Sequence, residues 1–154
     1  MTDQSIRESI AALDGMLFVD GAFRAGQGAR LPVQNPATGE IIGHIAAATA
    51  AEVEAAVQAA RRAFRPWAAE LPKARATLLH RLGDLIAADA DAMARIMTAE
   101  QGKPVNEARG EILKLAEACH FYAEEATRVL GEIIPNDQPG FQSLVTREPV
   151  GVVG

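Results

Sequence analysis

A chain of 154 residues, 49% hydrophobic and 23% charged, is long enough for one folded domain with a hydrophobic core, and its composition excludes a disordered or fibrous protein. The formal net charge of -5 argues against nucleic acid as the main partner, because phosphate binding requires clustered lysine and arginine. The single cysteine favours a reducing compartment, and no stretch approaches the roughly 20 apolar residues of a membrane span. We therefore expect a cytoplasmic protein with neither a nucleic-acid nor a membrane partner.

Two β-hairpins are predicted after a short lead-in helix at residues 1–15. The first hairpin turns at Asp20-Gly21, a dipeptide typical of two-residue hairpin loops, between the segments 16–19 and 23–24. The second joins residues 31–34 to residues 40–45 through the turn Asn35-Pro-Ala-Thr-Gly39. Proline presets φ in such a turn and glycine accepts a positive φ, so we interpret this motif as architecture.

A helical region is predicted from Thr49 onward. Thr49 and Glu52 form a capping box at the start of its first helix, and Pro66 is expected to end that helix. The second helix is expected over residues 73–88. The side chains predicted to face inward from these two helices are Val53, Val57, Ala60, Phe64, Leu78, Leu79, Leu82, Leu85 and Ile86.

Two further helices follow. One is expected to begin near Asp89 or Asp91, to carry Met93, Ile96 and Met97, and to end at Gly102-Lys-Pro104, because proline cannot continue a helix. The last is the longest and is expected to be capped by Gly131. Apolar residues alternate along it at spacings of four and three, which predicts a continuous buried seam. The seam consists of Ala108, Ile112, Leu115, Cys119, Tyr122, Ala126 and Val129.

The side chains with reactive groups do not assemble a recognisable catalytic site. Cys119 lies mid-helix on the apolar seam with glutamates nearby, whereas a reactive thiolate needs an electropositive, partly exposed setting. We expect Cys119 to pack as a small hydrophobic residue. None of the histidines stands at metal-ligand spacing from another ligand, so surface or packing roles are expected for His44, His80 and His120. We assign no catalytic and no cofactor-binding residue.

Several segments stand in a characteristic order. They are residues 18–23, the Asn-Pro-Ala-Thr-Gly-Glu motif at 35–40, residues 52–64, Trp67, residues 75–82, the Glu-Gln-Gly-Lys-Pro motif at 100–104, residues 121–123 and residues 148–154. In this order and spacing they resemble the N-terminal part of the NAD(P)-dependent aldehyde dehydrogenase superfamily. Residues 97–112 and 123–126 are most similar to its succinate-semialdehyde dehydrogenase branch.

The resemblance implies an α/β fold with a Rossmann-type parent, of which this chain supplies a mainly α-helical piece with N-terminal β-hairpins and C-terminal strands. Residues 1–131 would brace the nucleotide-binding domain, residues 132–149 would supply strands of the oligomerisation domain, and residues 150–154 would begin the first nucleotide-domain strand. Because the chain stops inside this apolar run, we expect it to be part of a longer protein. Its expected partners are the remainder of the enzyme and like subunits, in a homodimer or homotetramer.

The activity implied by the resemblance is oxidation of an aldehyde, with succinate semialdehyde expected, to the carboxylate by NAD or NADP through a cysteine thiohemiacetal. The catalytic and nucleotide-binding residues of the family belong to a later part of its pattern. The chain alone is therefore expected to be inactive and to bind no cofactor. The alternative, from a different class, is a stand-alone, non-enzymatic helical interaction module or a decayed copy.

One non-catalytic site of the family corresponds to positions in this chain. Some members hold a structural monovalent cation on backbone carbonyls just before the Asn-Pro turn and on an acidic side chain before the Gly-Lys-Pro. The matching positions are Val33, Gln34 and Glu100. Carbonyl and carboxylate oxygens suit a hard cation. The other interpretation is that Glu100 is a solvated acid at a helix end.

Overall fold

The computed structural model describes residues 3–154, which form five helices and three two-stranded antiparallel sheets. The predicted lead-in helix is present, although Met1 and Thr2 of the predicted span lie outside the described residues. The mainly helical composition, with hairpins first and short strands last, agrees with the sequence prediction. In chain order the elements are α1 (Asp3–Leu13), β1 (Met16–Val19), β2 (Ala22–Ala25), β3 (Arg30–Gln34), β4 (Ile41–Ala46), α2 (Ala50–Ala69), α3 (Pro72–Ala88), α4 (Ala90–Gln101), α5 (Val105–Glu125), β5 (Glu132–Ile134) and β6 (Ser143–Val145).

Both predicted hairpins are confirmed. In the first, Asp20 and Gly21 have φ values of 56° and 74°, the backbone of a tight two-residue turn, and Val19 pairs with Ala22. In the second, β3 pairs with β4 with a register shift between Val33 and Gln34. Such a shift interrupts the regular ladder and bends the strand locally.

The capping box at the start of α2 is confirmed, but the predicted end of this helix is wrong. The Thr49 hydroxyl accepts the Glu52 N–H at 3.3 Å, and the Glu52 carboxylate accepts the Thr49 N–H at 2.8 Å. The helix continues through Pro66 to Ala69. Proline has no N–H to donate to the carbonyl four residues earlier, so the helix lacks one hydrogen bond in its last turns but is not ended there.

The leucines of α3 are more exposed than predicted. Leu78, Leu82 and Leu85 are 52%, 46% and 55% exposed, whereas the buried residues of this helix are Ala76 and Gly83. The helix therefore packs through small residues. The physical reason is that α3 lies close against α5, and a close helix contact selects small side chains over large ones.

Alanine dominates the described core. Helix α5 begins at Val105 and ends at Glu125, so Gly131 does not cap it. The predicted seam is correct at Ala108, Ile112 and Cys119, but Leu115 and Tyr122 are exposed. The next residues along the chain, Ala116 and Ala123, are buried instead, because their side chains are small enough to lie against α3 and α4. The buried residues of α5 are Ala108, Ile112, Ala116, Cys119 and Ala123.

The last part of the described chain carries little regular structure. Strands β5 and β6 pair antiparallel, with Ile133 opposite Leu144. Residues 146–154 contain no strand in this structure, so the assignment of residues 150–154 to a nucleotide-domain strand stays a prediction. Among the described residues, no helix combines the length and apolar character needed to cross a membrane.

Candidate functional site

The Asn-Pro turn between β3 and β4 is closed by its own polar groups. Asn35 donates its backbone N–H to the carbonyl of Glu40 at 2.9 Å, and the Asn35 side-chain oxygen accepts the Ala37 N–H at 2.9 Å. Gly39 has a φ of 75°, as its position in the turn predicts. The side-chain amide of Gln34 donates to the Gly39 carbonyl at 2.7 Å. The turn therefore has an architectural role, as expected.

The end of α4 lies against this turn. Gly102 caps α4 in the left-handed conformation, with a φ of 77°, and donates its N–H to the Thr98 carbonyl at 2.9 Å. A Cβ at Gly102 would lie only 2.8 Å from Cγ of Pro36. The two motifs that carry most of the family resemblance are thus in direct contact, although they are about 65 residues apart in the sequence.

Two of the three predicted cation-site residues share one cavity. A cavity of about 220 Å³ lies between α1, the β3–β4 hairpin and α4, and both Val33 and Glu100 line it. Gln34 does not line this cavity, and its side chain is engaged at the turn. Most of the remaining wall is aliphatic. The other lining residues are Ile10, Leu13, Asp14, Ile42, Gly43, His44, Ile45 and Ile96.

The two carboxylates of the cavity differ in their partners. Asp14 accepts hydrogen bonds from the backbone N–H of His44 and from the guanidinium of Arg30, and His44 Nδ1 lies 3.3 Å away. The His44 hydrogen bond is the main reason why the pKa of Asp14 lies below its ordinary value; partial desolvation opposes the shift and Arg30 adds to it. Glu100 has no ion-pair partner within the described part of the chain and is exposed. Glu100 is therefore the carboxylate that remains available for a cation.

Cys119 packs in the core, as predicted. It is 9% exposed and faces the interior from the middle of α5. A nucleophile must be reachable by its substrate, so this position does not suit a catalytic thiol. Within residues 3–154, no group of three or more histidine, cysteine, aspartate or glutamate side chains is arranged to hold a metal ion.

Two histidines for which the sequence predicts separate surface or packing roles are partners. His80 Nδ1 in α3 lies 2.9 Å from His120 Nδ1 in α5, although 40 positions separate them. Each histidine has an acidic residue four positions later in its own helix, namely Asp84 and Glu124. A spacing of four residues places each histidine and its acid on the same face of a helix. The occurrence of this pattern in both α3 and α5 is the sequence signal that could have predicted the contact between His80 and His120.

The sequence of the chain matches the Aldehyde dehydrogenase family over residues 23–154. The chain belongs to this family. The structural likeness agrees: the crystal structure of succinate-semialdehyde dehydrogenase from Burkholderia pseudomallei superposes with a TM-score of 0.86 and 37% identity. That superposition covers 98% of this chain and 30% of the other.

Characterised members of the aldehyde dehydrogenase family are also similar in sequence. Glutarate-semialdehyde dehydrogenase of Pseudomonas aeruginosa is 45% identical over 136 residues, which cover 88% of this chain and 28% of that protein. A succinate-semialdehyde dehydrogenase of Escherichia coli, whose name specifies NADP(+), is 41% identical over 128 residues. These residues cover 83% of this chain and 27% of that protein. The chain thus spans between 27% and 30% of the length of these relatives.

Proposed function

We propose that this chain is the N-terminal part of an enzyme that oxidises succinate semialdehyde to the carboxylate with NAD or NADP. The observation that carries the proposal is the family match over residues 23–154, in a chain that spans 27% to 30% of its relatives' length. Glutarate semialdehyde, named for the Pseudomonas aeruginosa relative, belongs to the same chemical class. Both substrates carry an aldehyde at one end and a carboxylate at the other.

The chain alone is proposed to be inactive. The family's chemistry requires a cysteine thiolate that attacks the aldehyde carbon, followed by hydride transfer to the nicotinamide. The sequence contains one cysteine, Cys119, and it is buried among helices. The reactive thiol and the nucleotide site are therefore proposed to lie in the remainder of the enzyme. A cytoplasmic location belongs to the same proposal.

Residues 1–131 are proposed to brace the nucleotide-binding domain. The exposed leucines of α3 support this role, since large apolar side chains that stand together on a surface usually mark an interface. Residues 132–149 are proposed to join the oligomerisation sheet of a homodimer or homotetramer. In this region, Ile133 and Leu144 are 67% and 65% exposed.

A structural monovalent cation at Val33, Gln34 and Glu100 is a further part of the proposal. The cavity shared by Val33 and Glu100 and the absence of an ion-pair partner for Glu100 within residues 3–154 support it. Potassium or sodium chloride should raise the melting temperature above that in choline chloride of equal ionic strength, and Glu100→Gln should abolish the difference. Glu117→Gln, at an exposed position in the middle of α5, is the matched control and should retain it.

Two assays test the enzymatic proposal. The purified chain, mixed with succinate semialdehyde and NAD or NADP, should give no change in absorbance at the nicotinamide band. A chimera in which this chain replaces the matching segment of the Pseudomonas aeruginosa enzyme should fold and turn over. The control chimera carries Ala94→Asp, at a position with 0% exposure, and should be inactive. Turnover by the isolated chain would contradict the proposal that the chain alone is inactive. A folded but inactive chimera would contradict the proposal that the chain is the N-terminal part of such an enzyme.

A further inference from the structure

Another cavity lies between the end of α2, the start of α3 and the chain that follows α5 and β6. Its volume is about 300 Å³. We call it the arginine cavity, and it is separate from the cavity that Val33 and Glu100 share. Charged and apolar side chains both line it, namely Arg75, Arg147, Glu148, Trp67, Val129 and Pro149. Its chemistry does not depend on the proposed enzymatic activity.

Arg75 brings a positive charge to this cavity without a matching acid. Its guanidinium is half-buried and donates a hydrogen bond to the backbone carbonyl of Glu70, which holds the side chain in place. Within residues 3–154, no carboxylate forms an ion pair with Arg75. A guanidinium has five N–H donors, so most of them remain available. A partly desolvated cation of this kind favours the binding of an anion.

Arg147 and Trp67 add further donors to the wall. Arg147 Nη2 lies 3.5 Å from the Glu132 carboxylate, which is longer than a usual hydrogen bond. Trp67 is 48% exposed, and its indole N–H has no acceptor in the described part of the chain. Glu148 is the carboxylate among the lining residues, so two guanidiniums and an indole N–H stand against one acid.

We propose that the arginine cavity binds a small carboxylate with a flat apolar body, of which benzoate is the simplest example. The guanidiniums of Arg75 and Arg147 hold the carboxylate, because their planar forks match its two oxygens. The apolar body packs on the ring of Trp67, beside Val129 and Pro149. The space is sufficient, since a cavity of about 150 Å³ is enough for benzene.

The fluorescence of Trp67 tests this proposal directly, because Trp67 is the only tryptophan in the sequence and lines the cavity. Benzoate should change the fluorescence saturably and raise the melting temperature. Benzamide has the same shape without the charge, and acetate has the charge without the ring. Each should bind at least about tenfold more weakly than benzoate.

Three outcomes of this titration would overturn the proposal. The first is the absence of a saturable change with benzoate up to about 10 mM. The second is equal binding of benzoate and benzamide, which would show that the arginines recognise no charge. The third is binding of inorganic phosphate or acetate as tight as that of benzoate, which would show that the apolar wall contributes nothing.

Variants of the wall identify the groups that bind. Arg75→Gln and Arg147→Gln should each weaken benzoate binding about tenfold or more, and Arg75→Lys should restore part of the loss, since it keeps the charge but not the fork. Glu148→Gln should tighten binding, because it removes a negative charge from the wall. Arg109→Gln is the matched control: Arg109 pairs with Asp91 and does not line the cavity, so the affinity should not change.

Unchanged affinity in both Arg75→Gln and Arg147→Gln would contradict the assignment of the cavity. Arg75 also holds the Glu70 carbonyl, so its replacement affects the junction between α2 and α3. If Arg75→Gln fails to fold, the comparison of benzoate with benzamide on the unsubstituted protein decides.

Discussion

The carboxylate of Asp14, directly after α1, accepts the backbone N–H of His44 in β4. Together with Arg30 of β3, this contact joins the lead-in helix to the second hairpin across 30 positions of sequence. An ionised acid is required, because a protonated carboxyl is a weaker acceptor. The junction therefore depends on pH.

The first prediction is that Asp14→Asn makes the free energy of unfolding depend less steeply on pH in the acidic range. The folded pKa of Asp14 is depressed below the unfolded value, mainly by the His44 hydrogen bond, so the unfolded chain binds the proton more readily. The stabilisation is present above the unfolded pKa of about 3.9 and is lost as the pH falls through the folded pKa. Urea unfolding at a series of acidic pH values measures this slope. Asp137→Asn, between β5 and β6, should leave it unchanged, and an unaltered slope in Asp14→Asn would argue against the junction.

The second prediction concerns the capping box of α2. Thr49→Ala should lower the free energy of unfolding by about 1 kcal/mol, because the Glu52 N–H loses its side-chain acceptor. Thr49→Ala also removes the hydroxyl that donates to the Glu52 carboxylate at 2.8 Å. Because the same carboxylate accepts the Gln27 N–H at 2.9 Å, the segment before β3 should become more mobile. Urea unfolding and amide hydrogen exchange at Gln27 measure the two effects. Thr49→Ser keeps the acceptor and should retain most of the stability.

The third prediction compares two helical glycines. Gly83→Ala should destabilise the protein, since its Cβ would press on the Ala116 carbonyl oxygen and overpacking costs about 1–3 kcal/mol. Gly110→Ala, in α5, meets nothing within 4 Å and should stabilise by about 0.5–1 kcal/mol through helix propensity. Thermal or urea unfolding of both variants gives the comparison. Stabilisation by both variants would show that α3 and α5 lie farther apart than the 3.0 Å approach at Gly83 requires.

The fourth prediction addresses the exposed leucine face of α3. Replacing Leu78, Leu82 and Leu85 by glutamine should reduce self-association of the isolated chain in light scattering, because these apolar side chains face solvent. The free energy of unfolding should change by no more than about 0.5 kcal/mol per site. Leu79→Gln is the control: Leu79 is half-buried, so this change should destabilise more. A compact monomer before any substitution would contradict the interface and favour a self-sufficient module.

Local signals predicted much of the fold. The turn at Asp20-Gly21 and the capping box of Thr49 and Glu52 are set by residues that touch each other within the same short segment, and both are confirmed. The positive φ of Gly102 follows from its place after a helix and before a proline. These features need no knowledge of distant contacts.

Contacts between helices were harder to predict. Periodicity favoured Leu115 and Tyr122 for the interior, but the structure buries Ala116 and Ala123, because α3 and α4 approach closely and leave space for small side chains. Which of two apolar faces turns inward depends on the neighbouring helix, and that neighbour is not encoded in the local pattern. The contact of His80 with His120 was missed for the same reason.

The alanine core limits the size of the side chains that can replace its buried residues. At Ala94, Ala108 and Ala123, which have 0% exposure, glycine is the only residue smaller than the one present. Every other substitution adds atoms to a contact between helices and pushes their axes apart. Substitutions at the outer leucines therefore leave the packing between helices largely unchanged, whereas the centre of the bundle admits almost no variation. In this chain, the smallest side chains are the ones that fix the distances between helices.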